Sequence, residues 1–529
     1  MEDRIRRILK NGVVLAVAAL LVRTVTVSFG AYVSGRIGAE GMGLYSLIMS
    51  VYTLAVTLAT SGVQLATTRL VAEALGRGDE GGARGALRLA VRYALLFGAV
   101  SSVTLFLFAP GIGQGLLRDG RTVPALRLLA ASLLPIALSS VFSGYFTAVR
   151  RPTRAAAVSM LEQAVRMILT VFLLTALLPS GMTYACLALV GGSAVAEILS
   201  ALWLSFLYLY DSRRLRRAKV GKMPIGEMLH ITLPIAASSY IRSGLVSAEH
   251  MLIPRALTGG GATREEALGA YGTLSGMSMP IALYPMAVLS AFAGLLVPEL
   301  SEGIAKREQD GNRRLCERAL MLALWFGIAA GGVMAAFARP LSAAVYGSGE
   351  AGHYLSLLAP IVPVMYLDHV TDVMLKGLGR QVYAMGVNIL DSVGSILLVL
   401  LLLPRLGAVG YVLVILLAEI FNFALSITGL HAALPFRFPT VKGVLLPVAA
   451  ILLAVTAVRW LIPISGVVTT VLSVVLTLIL YILLLAAALS LLSKKPAKSE
   501  VTLQRPLDNA VTFGYNKRER DVAPWGKKE

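Results

Sequence analysis

The sequence predicts an all-α polytopic membrane protein, and three observations point to this fold class. The chain is 57% hydrophobic over 529 residues, and its mean hydropathy is +0.77. Apolar stretches of about 20 residues or more recur along it, which is the length that a helix needs to cross a bilayer. The loops on the predicted outer side are short, which leaves no room there for a soluble catalytic domain.

About fourteen transmembrane helices are expected, placed by the limits of the apolar stretches. The predicted spans are residues 11–34, 43–75, 86–109, 124–149, 155–178, 182–210, 226–254, 269–300, 314–338, 353–378, 381–403, 407–430, 441–462 and 466–492. Several are longer than the hydrocarbon layer is thick, so we expect them to tilt or to project into the cytoplasm. The N-terminal apolar run imitates a signal peptide, but it is too long and contains Arg23, so we interpret it as a permanent span.

Positive charge collects in alternate loops. The net charge is +19, and the lysines and arginines lie mainly in loops that the positive-inside rule places in the cytoplasm. This distribution explains the charge without a nucleic-acid partner, and it predicts that both termini are cytoplasmic. The polar segment 493–529 is expected to be disordered, with its lysines near anionic lipid.

The composition indicates neither disulfide bonds nor a metal site. There are two cysteines, Cys186 and Cys316, both in or beside apolar segments, and five scattered histidines. They provide no disulfide framework and no metal-ligand spacing. We therefore expect no cofactor, apart from a sodium ion or proton that could couple transport.

Weak self-similarity divides the chain into two halves. Arg242 aligns with Arg23, and the triplet AEI recurs at 196–198 and 418–420. Each half holds about six spans, an even number, so the halves are parallel repeats around a central cavity. The predicted organisation is an N-terminal six-helix half (1–212), a basic cytoplasmic linker (213–225), a C-terminal six-helix half (226–432), an additional helix pair (433–492) and the tail (493–529).

Arg23 and Arg242 are expected near the middle of the membrane, on the first helix of each half. A central arginine costs roughly 2.5–3.5 kcal/mol on insertion scales, and the cost falls if the side chain faces a water-filled cavity. We therefore expect both to line one cavity between the halves. The alternatives are pairing with a local carboxylate or extension to the membrane surface. Two guanidinium groups in one cavity match the oxygens of a diphosphate.

Further polar residues extend the predicted substrate site. Ser239 lies about one turn before Arg242 and supports a wet lining, and Glu249 lies about two turns after it on the same face. Glu249 either neutralises Arg242 in the empty site, binds a cation or forms a simple salt bridge. Arg69, late in the second span, lies either at the cytoplasmic mouth of the site or extends to the membrane surface.

Other charged residues inside the spans are expected to couple transport or to pair. Asn388 and Asp391 share a face of the eleventh span and could hold a cation. The predicted pairs and stripes are Glu162 with Arg166, the stripe of Asp368, Asp372 and Lys376, and the repeat-equivalent Glu197 and Glu419, each bonding within its own half.

Two segments resemble a known family. GRIGAEGMGLYSLIMSVYTLAVTLATSGVQLATTRLVAE (35–73) and GAYGTLSGMSMPIALYPMAVLSAFAGLLVPELSE (269–302) resemble the polysaccharide-transport branch of the multidrug/oligosaccharidyl-lipid/polysaccharide exporter superfamily, in particular its lipid II flippases and their sporulation relatives. The resemblance extends over most of residues 1–492. It implies a central cationic cavity, in which Arg23 fits the first-helix position and Arg242 the second half by repeat symmetry. It also implies coupling to sodium or membrane potential in some members.

These observations together predict a transporter of the cell membrane. The expected function is a flippase that moves an undecaprenyl-diphosphate-linked sugar, lipid II or a related precursor, by alternating access. The expected partners are this lipid-linked sugar and the bilayer, and the chain is expected to be a monomer without enzymatic activity. The alternatives are a multidrug or cation exporter of the same superfamily and a membrane glycosyltransferase or polymerase. The first requires an acidic cavity and the second a carboxylate or metal site.

Overall fold

The computed structural model describes residues 2–212, 220–221, 223–436, 441–463 and 466–493. Most of the predicted basic linker and nearly all of the predicted disordered tail lie outside these residues. Contacts divide the chain into a compact unit over 1–485 and a second unit over 486–529. We call the side that the charge pattern predicts to be cytoplasmic the inner side, and the opposite side the outer side.

The described residues are helical almost throughout. The first part contains α1 (Glu2–Thr60), α2 (Val63–Gly76), α3 (Glu80–Pro110), α4 (Thr122–Ala148), α5 (Pro152–Leu177) and α6 (Met182–Asp211). The second part contains α7 (Ile225–Gly259), α8 (Arg264–Tyr271), α9 (Met279–Ala282), α10 (Met286–Ala305), α11 (Gln309–Tyr346), α12 (Gly349–Leu358), α13 (Val362–Gly377) and α14 (Gln381–Ala433). The last two helices are α15 (Leu446–Leu461) and α16 (Val467–Ser493).

The helices confirm a polytopic membrane protein. Within the described residues, 11 helical stretches are long and apolar enough to cross a bilayer. Two are of double length, with 62 residues in Leu15–Gly76 and 53 in Gln381–Ala433. A straight helix of the shorter length would measure about 80 Å, far more than the hydrocarbon layer of about 30 Å. The exact count of fourteen spans stays a prediction.

Glycine kinks divide the two double-length stretches. Gly38 in α1 has a φ of 68°, and Gly407 in α14 has a φ of 59°. Residues with a Cβ rarely adopt this left-handed region, whereas glycine does so without steric cost. Gly38 lies in the gap between the first two predicted spans, and Gly407 is the first residue of the twelfth.

Three predicted spans are interrupted, in contrast to the expectation. The span 43–75 breaks after Thr60, where Gly62 is left-handed with a φ of 76°. The span 269–300 contains a π-helical segment, Gly272–Ser278, and a turn before Met286. The span 353–378 is broken by a tight turn at Ala359–Ile361. The latter two breaks contain or adjoin prolines, which lack the N–H that a continuous helix needs.

One hydrophobic core draws on both parts of the chain. Its buried members run from Leu44 on α1 through Leu129 on α4 to Leu268 on α8 and Val414 on α14. On the outer side, α1 and α8 approach backbone to backbone, since a Cβ on Gly43 would lie 2.1 Å from the Leu268 carbonyl oxygen. The core and this contact hold the outer ends of the two parts together.

Candidate functional site: three adjoining cavities

Arg23 lines a cavity of about 290 Å³ between α1, α5, α6 and α11. We call it the Arg23 cavity. Its other polar lining residues are Thr26, Tyr45, Gln163, Arg166, Thr170, Ser193 and Tyr346. Arg23 is half-buried and forms no ion pair with a carboxylate in the described part of the chain. It is therefore a guanidinium group whose charge is not balanced by a neighbouring acid.

Two guanidinium groups, those of Arg23 and Arg166, line the Arg23 cavity. The Nε atoms of Arg23 and Arg166 are both buried, and neither has a hydrogen-bond acceptor among the described residues. An unsatisfied buried donor costs about 1–3 kcal/mol, and more for a charged group. The two guanidinium groups that line the cavity suit a ligand that carries acceptor oxygens.

Arg166 also belongs to a buried ionic network. Its Nη2 lies 2.8 Å from Glu162 Oε1 and 3.5 Å from Glu197 Oε1. The Tyr52 hydroxyl donates to Glu197 Oε2, and it also bonds the Ser132 hydroxyl. The predicted pair of Glu162 and Arg166 is thus confirmed, and Glu197 bonds within the first part of the chain as expected. The two carboxylates balance the charge of Arg166 but leave its Nε free.

This network faces a second cavity of about 350 Å³, which we call the Glu197 cavity. Tyr52, Thr53 and Thr57 line it from α1, and Glu162, Arg166 and Glu197 line it from α5 and α6. Arg166 lines both this cavity and the Arg23 cavity. Its side chain therefore forms the boundary between them.

Arg242 lines a third cavity of about 650 Å³, which we call the Arg242 cavity. Hydroxyl groups dominate its polar lining, which comprises Ser46, Ser50, Thr53, Thr57, Ser239, Ser243, Ser247, His250, Tyr271 and Ser275. The Ser247 hydroxyl donates to the Ser50 carbonyl at 2.8 Å, which links α7 to α1. The predicted lining role of Ser239 agrees with this geometry. A lining of hydroxyl groups can exchange hydrogen bonds with the hydroxyls of a sugar.

Among the cavities that the described residues form, Arg23 and Arg242 line separate ones, whereas the repeat predicts one shared cavity. The Arg23 cavity and the Arg242 cavity have no lining residue in common. The Glu197 cavity lies between them, because it shares Arg166 with the first and Thr53 and Thr57 with the second. The two arginines therefore lie at opposite ends of a series of three cavities.

Glu249 and Arg69 are predicted to belong to the substrate site, but each contacts another residue in the structure. Glu249 Oε1 accepts a hydrogen bond from the Ser395 hydroxyl at 2.5 Å, and it forms no ion pair with Arg242. Arg69 forms a salt bridge of 2.7 Å with Glu73, in which both side chains are exposed. Arg69 lines none of the three cavities, so its position favours a role at the membrane surface.

Asp391 lies within a group of carboxylates in the second part of the chain. It is within electrostatic range of Glu249, Asp368 and Arg242, and Glu419 is within range of Asp391 in turn. One oxygen of Asp391, Oδ1, is buried and has no donor among the described residues. These side chains come from three helices, α7, α13 and α14. Together they are the candidate for a coupling site.

Asn388 does not take part in this group. Its Nδ2 donates to the Ala384 carbonyl of its own helix at 2.8 Å. Asp368 instead accepts from Asn422 Nδ2 at 3.1 Å, and the predicted contact of Asp372 with Lys376 is present at 2.5 Å. Within the described ranges, no three His, Cys, Asp or Glu side chains are arranged to hold a metal ion together.

An ionic cluster closes the outer side, and sequence analysis did not identify it. Arg121 lies 2.8 Å from Asp119 Oδ2 and 2.7 Å from Glu40 Oε1, and Arg264 donates to the Leu117 carbonyl. Burial alone would raise the pKa of the Asp119 carboxyl, but the hydrogen bonds and charge of Arg121 hold that pKa below its usual value. The charged residues in these short outer loops are the feature of the sequence that could have indicated this cluster.

A family model and a curated relative match the chain. The family model, described as polysaccharide biosynthesis protein, matches residues 8–304. Stage V sporulation protein B of Bacillus subtilis (strain 168) is 27% identical over 433 residues, which cover 80% of this chain and 83% of that protein.

Solved structures with the same fold are transporters. The lipid II flippase MurJ in an inward closed conformation superposes with a TM-score of 0.69 at 13% identity, covering 91% of this chain and 100% of that chain. An inward-facing multidrug resistance transporter of the MATE family and MOP superfamily superposes with a TM-score of 0.63 at 17% identity, covering 79% and 98%. At these identities the likeness establishes the fold, which is the one that the sequence resemblance predicts.

Proposed function

The chain belongs to the polysaccharide biosynthesis protein family, and on that premise we propose that it is a flippase for an undecaprenyl-diphosphate-linked sugar. The substrate would be lipid II or a related precursor, moved across the cytoplasmic membrane by alternating access. Stage V sporulation protein B and the lipid II flippase MurJ, which has the same fold, support this class of substrate. The observation that carries the proposal is that two arginines, Arg23 and Arg166, line one cavity, and that Arg23 has no acidic partner among the described residues.

The sizes of the cavities support a division of the substrate between them. The Arg23 cavity, at about 290 Å³, lies at the lower limit of ligand pockets, which range over roughly 300–1,000 Å³. It fits phosphate groups better than a glycan. The Arg242 cavity, at about 650 Å³, provides more space and a lining of hydroxyls for the sugar. We therefore propose that the diphosphate binds at Arg23, with the sugar directed toward Arg242 and the lipid tail remaining in the bilayer.

Arg23 provides the charge of the diphosphate site, and Arg166 provides an additional donor. Glu162 and Glu197 already balance Arg166, so attraction of an anion depends on the uncompensated Arg23. An arginine fork matches phosphate oxygens better than a single ammonium does. The Tyr346 hydroxyl lines the same cavity and supplies a further donor. This division of roles replaces the shared pair of Arg23 and Arg242.

Coupling is proposed to reside at Asp391. Its neighbours Glu249, Asp368 and Glu419 concentrate negative charge within the spans, where an isolated carboxylate is costly and commonly functional. Binding of a sodium ion or proton would relieve this repulsion. Arg242 lies within electrostatic range of Asp391, so a change of charge at Asp391 would be felt at the Arg242 cavity.

The same carboxylates favour one alternative, a cation exporter with the same fold. Such an exporter would bind a cationic substrate near Asp391 and would not require Arg23. The two functions therefore differ in what Arg23→Ala should do. A cation exporter should transport normally with this substitution, whereas the flippase should lose its diphosphate ligand.

Binding of a lipid diphosphate to the purified protein tests the proposal. We expect Arg23→Ala to weaken binding of an undecaprenyl-diphosphate lipid at least tenfold, as the loss of a charged hydrogen bond of about 1.5–3 kcal/mol implies. The matched control is Arg127→Ala, an exposed arginine that contacts the Phe106 ring and lines none of the three cavities. Equal affinity of the parent and Arg23→Ala would exclude a diphosphate site at Arg23.

The proposed arrangement in the cell is a monomer in the cytoplasmic membrane with both termini inside. The charge asymmetry of the loops supports this orientation. An impermeant thiol reagent should label Gly181→Cys in intact cells and Gly78→Cys only after permeabilisation. The reverse pattern would invert the inner and outer sides.

A further inference from the structure

A fourth cavity, of about 710 Å³, lies between α3 and the start of α7. Arg88, Arg92 and Tyr93 line it from α3, together with the apolar Leu89, Leu96 and Ile225. It has no lining residue in common with the three cavities of the proposed substrate site. We call it the Arg88 cavity.

The segment that leads into α7 is docked directly on α3 beside this cavity. Gly221 N–H donates to the Gly81 carbonyl at 2.8 Å, and a Cβ on Gly85 would lie 2.3 Å from the Gly221 carbonyl oxygen. Only residues without side chains allow this approach. The two sides of the Arg88 cavity therefore belong to the two parts of the chain, with α3 on one side and residues 220–221 and 223–225 on the other.

The charged side of the cavity consists of two arginines one turn apart. Arg88 and Arg92 are spaced i,i+4, so they share a helix face, and both side chains are exposed. Neither forms an ion pair with an acidic residue in the part of the chain that the structure describes. Two adjacent guanidinium groups without a carboxylate partner form a site for an anion with several oxygens.

The remaining lining is apolar and faces outward. Leu96 is 61% exposed and Ile225 is 62% exposed, in a chain that spans the membrane. Exposed side chains of this kind contact lipid tails in a bilayer. The cavity thus combines an anion-binding end with an apolar end. These two ends match the phosphate and the acyl chains of a phospholipid. The arginines lie on the inner side, where anionic lipids concentrate and basic pockets between helices bind their headgroups.

We propose that the Arg88 cavity binds an anionic phospholipid of the inner leaflet. Its phosphate contacts Arg88 and Arg92, and its acyl chains lie along Leu96 and Ile225. Because the lipid touches both α3 and the start of α7, its occupancy affects the junction through which the two parts of the chain are connected. This site is independent of the substrate and does not rest on the proposed flippase function.

Lipid binding to the purified full chain tests the proposal directly. The measurement is the affinity for phosphatidylglycerol, by native mass spectrometry of protein titrated with that lipid in detergent. The reference is phosphatidylcholine, a zwitterionic lipid whose choline cation balances its phosphate. We expect Arg88→Gln combined with Arg92→Gln to weaken phosphatidylglycerol binding about twenty-five-fold, at roughly a factor of five for each arginine. Phosphatidylcholine binding should not change.

A matched control removes the same charge from the same side of the protein. Arg314 and Arg318 are also spaced i,i+4 and exposed, near the start of α11, but they line none of the four cavities. Arg314→Gln with Arg318→Gln should leave phosphatidylglycerol affinity within twofold of the parent. An equal loss in both double variants would show nonspecific attraction to the basic surface and would overturn the site.

Two further arms complete the test. Competition by inorganic phosphate at concentrations near that of the lipid would assign the arginines to a soluble anion and would contradict the lipid. If the double variant does not fold, the single variants Arg88→Gln and Arg92→Gln decide the question, each with an expected loss of about five-fold. Unchanged affinity in both single variants would refute the proposal.

Discussion

Arg23 and Arg166 line one cavity, and the Nε of each is buried there without an acceptor among the described residues. They come from α1 and α5 and lie 143 residues apart in the sequence. Arg23 has no acidic partner in the described ranges, whereas Glu162 and Glu197 hold Arg166 in place. This asymmetry predicts different consequences for the two residues: loss of Arg23 should affect binding, and loss of Arg166 should affect stability as well.

Arg166→Gln should destabilise the protein. It leaves Glu162 and Glu197 without their cation in a partly buried position, with side-chain exposures of 22% and 8%. We expect a loss of about 1–3 kcal/mol in the free energy of unfolding. This range is kept low because the Arg166 side chain is 27% exposed, so solvent screens part of its charge. The measurement is thermal unfolding of purified protein in detergent.

The double variant Arg166→Gln with Glu162→Gln provides the control for this prediction. It removes one of the two carboxylates left unpaired, so it should recover part of the lost stability. A double variant less stable than Arg166→Gln alone would mean that the network stabilises the fold through packing and not through charge.

Tyr52→Phe should destabilise the protein by about 1–3 kcal/mol, because it leaves the buried Glu197 and Ser132 without the phenol hydroxyl. Tyr52 and Glu197 are 3% and 7% exposed, and the hydroxyl bonds both partners. Tyr240→Phe is the matched control, since its hydroxyl donates only to the Leu58 carbonyl at an exposed position. Equal effects of the two substitutions on the melting temperature would contradict a buried network at Glu197.

The architecture could largely be predicted from the sequence, because it depends on local composition. Apolar length identifies the spans, and the two kinks lie at or beside predicted span limits, Gly38 between the first two spans and Gly407 at the start of the twelfth. The break after Thr60 was not predicted, since a single glycine inside an apolar stretch looks the same whether or not it is left-handed. Local periodicity also identified the pair of Glu162 and Arg166, which are four residues apart on one helix.

The arrangement of the site could not be predicted in the same way. Arg23 was recognised as a charge at depth, but its cavity partner depends on how α5 packs against α1, and repeat symmetry suggested Arg242 instead. Likewise Asp391 and Glu419 were assigned to different roles, because only the fold brings α7, α13 and α14 together. Contacts between distant helices leave no periodic trace in a single sequence.

The outer closure should respond to acid but not to changes around neutral pH. Because Arg121 holds the pKa of Asp119 below its usual value of 3.8, this carboxylate stabilises the folded state fully above the unfolded pKa. The contribution disappears as the pH falls through the lower, folded pKa. Asp119→Asn should therefore lower the melting temperature by a constant amount between pH 8 and pH 5, and by less below about pH 4.

Glu40→Gln serves as the comparison for Asp119→Asn. It removes the other carboxylate partner of Arg121 but leaves the more buried one, since the two side chains are 27% and 7% exposed. We expect a smaller effect on the melting temperature. An effect of Asp119→Asn that changes steeply between pH 5 and pH 8 would contradict the assigned direction of the pKa.

Asp391→Asn should abolish any dependence of transport on a sodium or proton gradient. The substitution removes the charge at the centre of the acidic group while preserving the shape of the side chain. Transport by the parent and the variant should be compared in proteoliposomes with and without each gradient. If the parent responds to neither gradient, coupling at Asp391 is excluded and the carboxylate is a packing residue.

The most direct test of the flippase account is delivery of lipid-linked sugar to the outer leaflet in cells depleted of their own flippase. We predict that Arg23→Ala is expressed and inserted normally, because it removes a costly charge from the membrane, but does not deliver the substrate. Arg23→Lys keeps the charge and loses the fork, so delivery should be partial. Normal delivery by Arg23→Ala, at an expression level equal to that of the parent, would contradict the central claim that Arg23 binds the diphosphate.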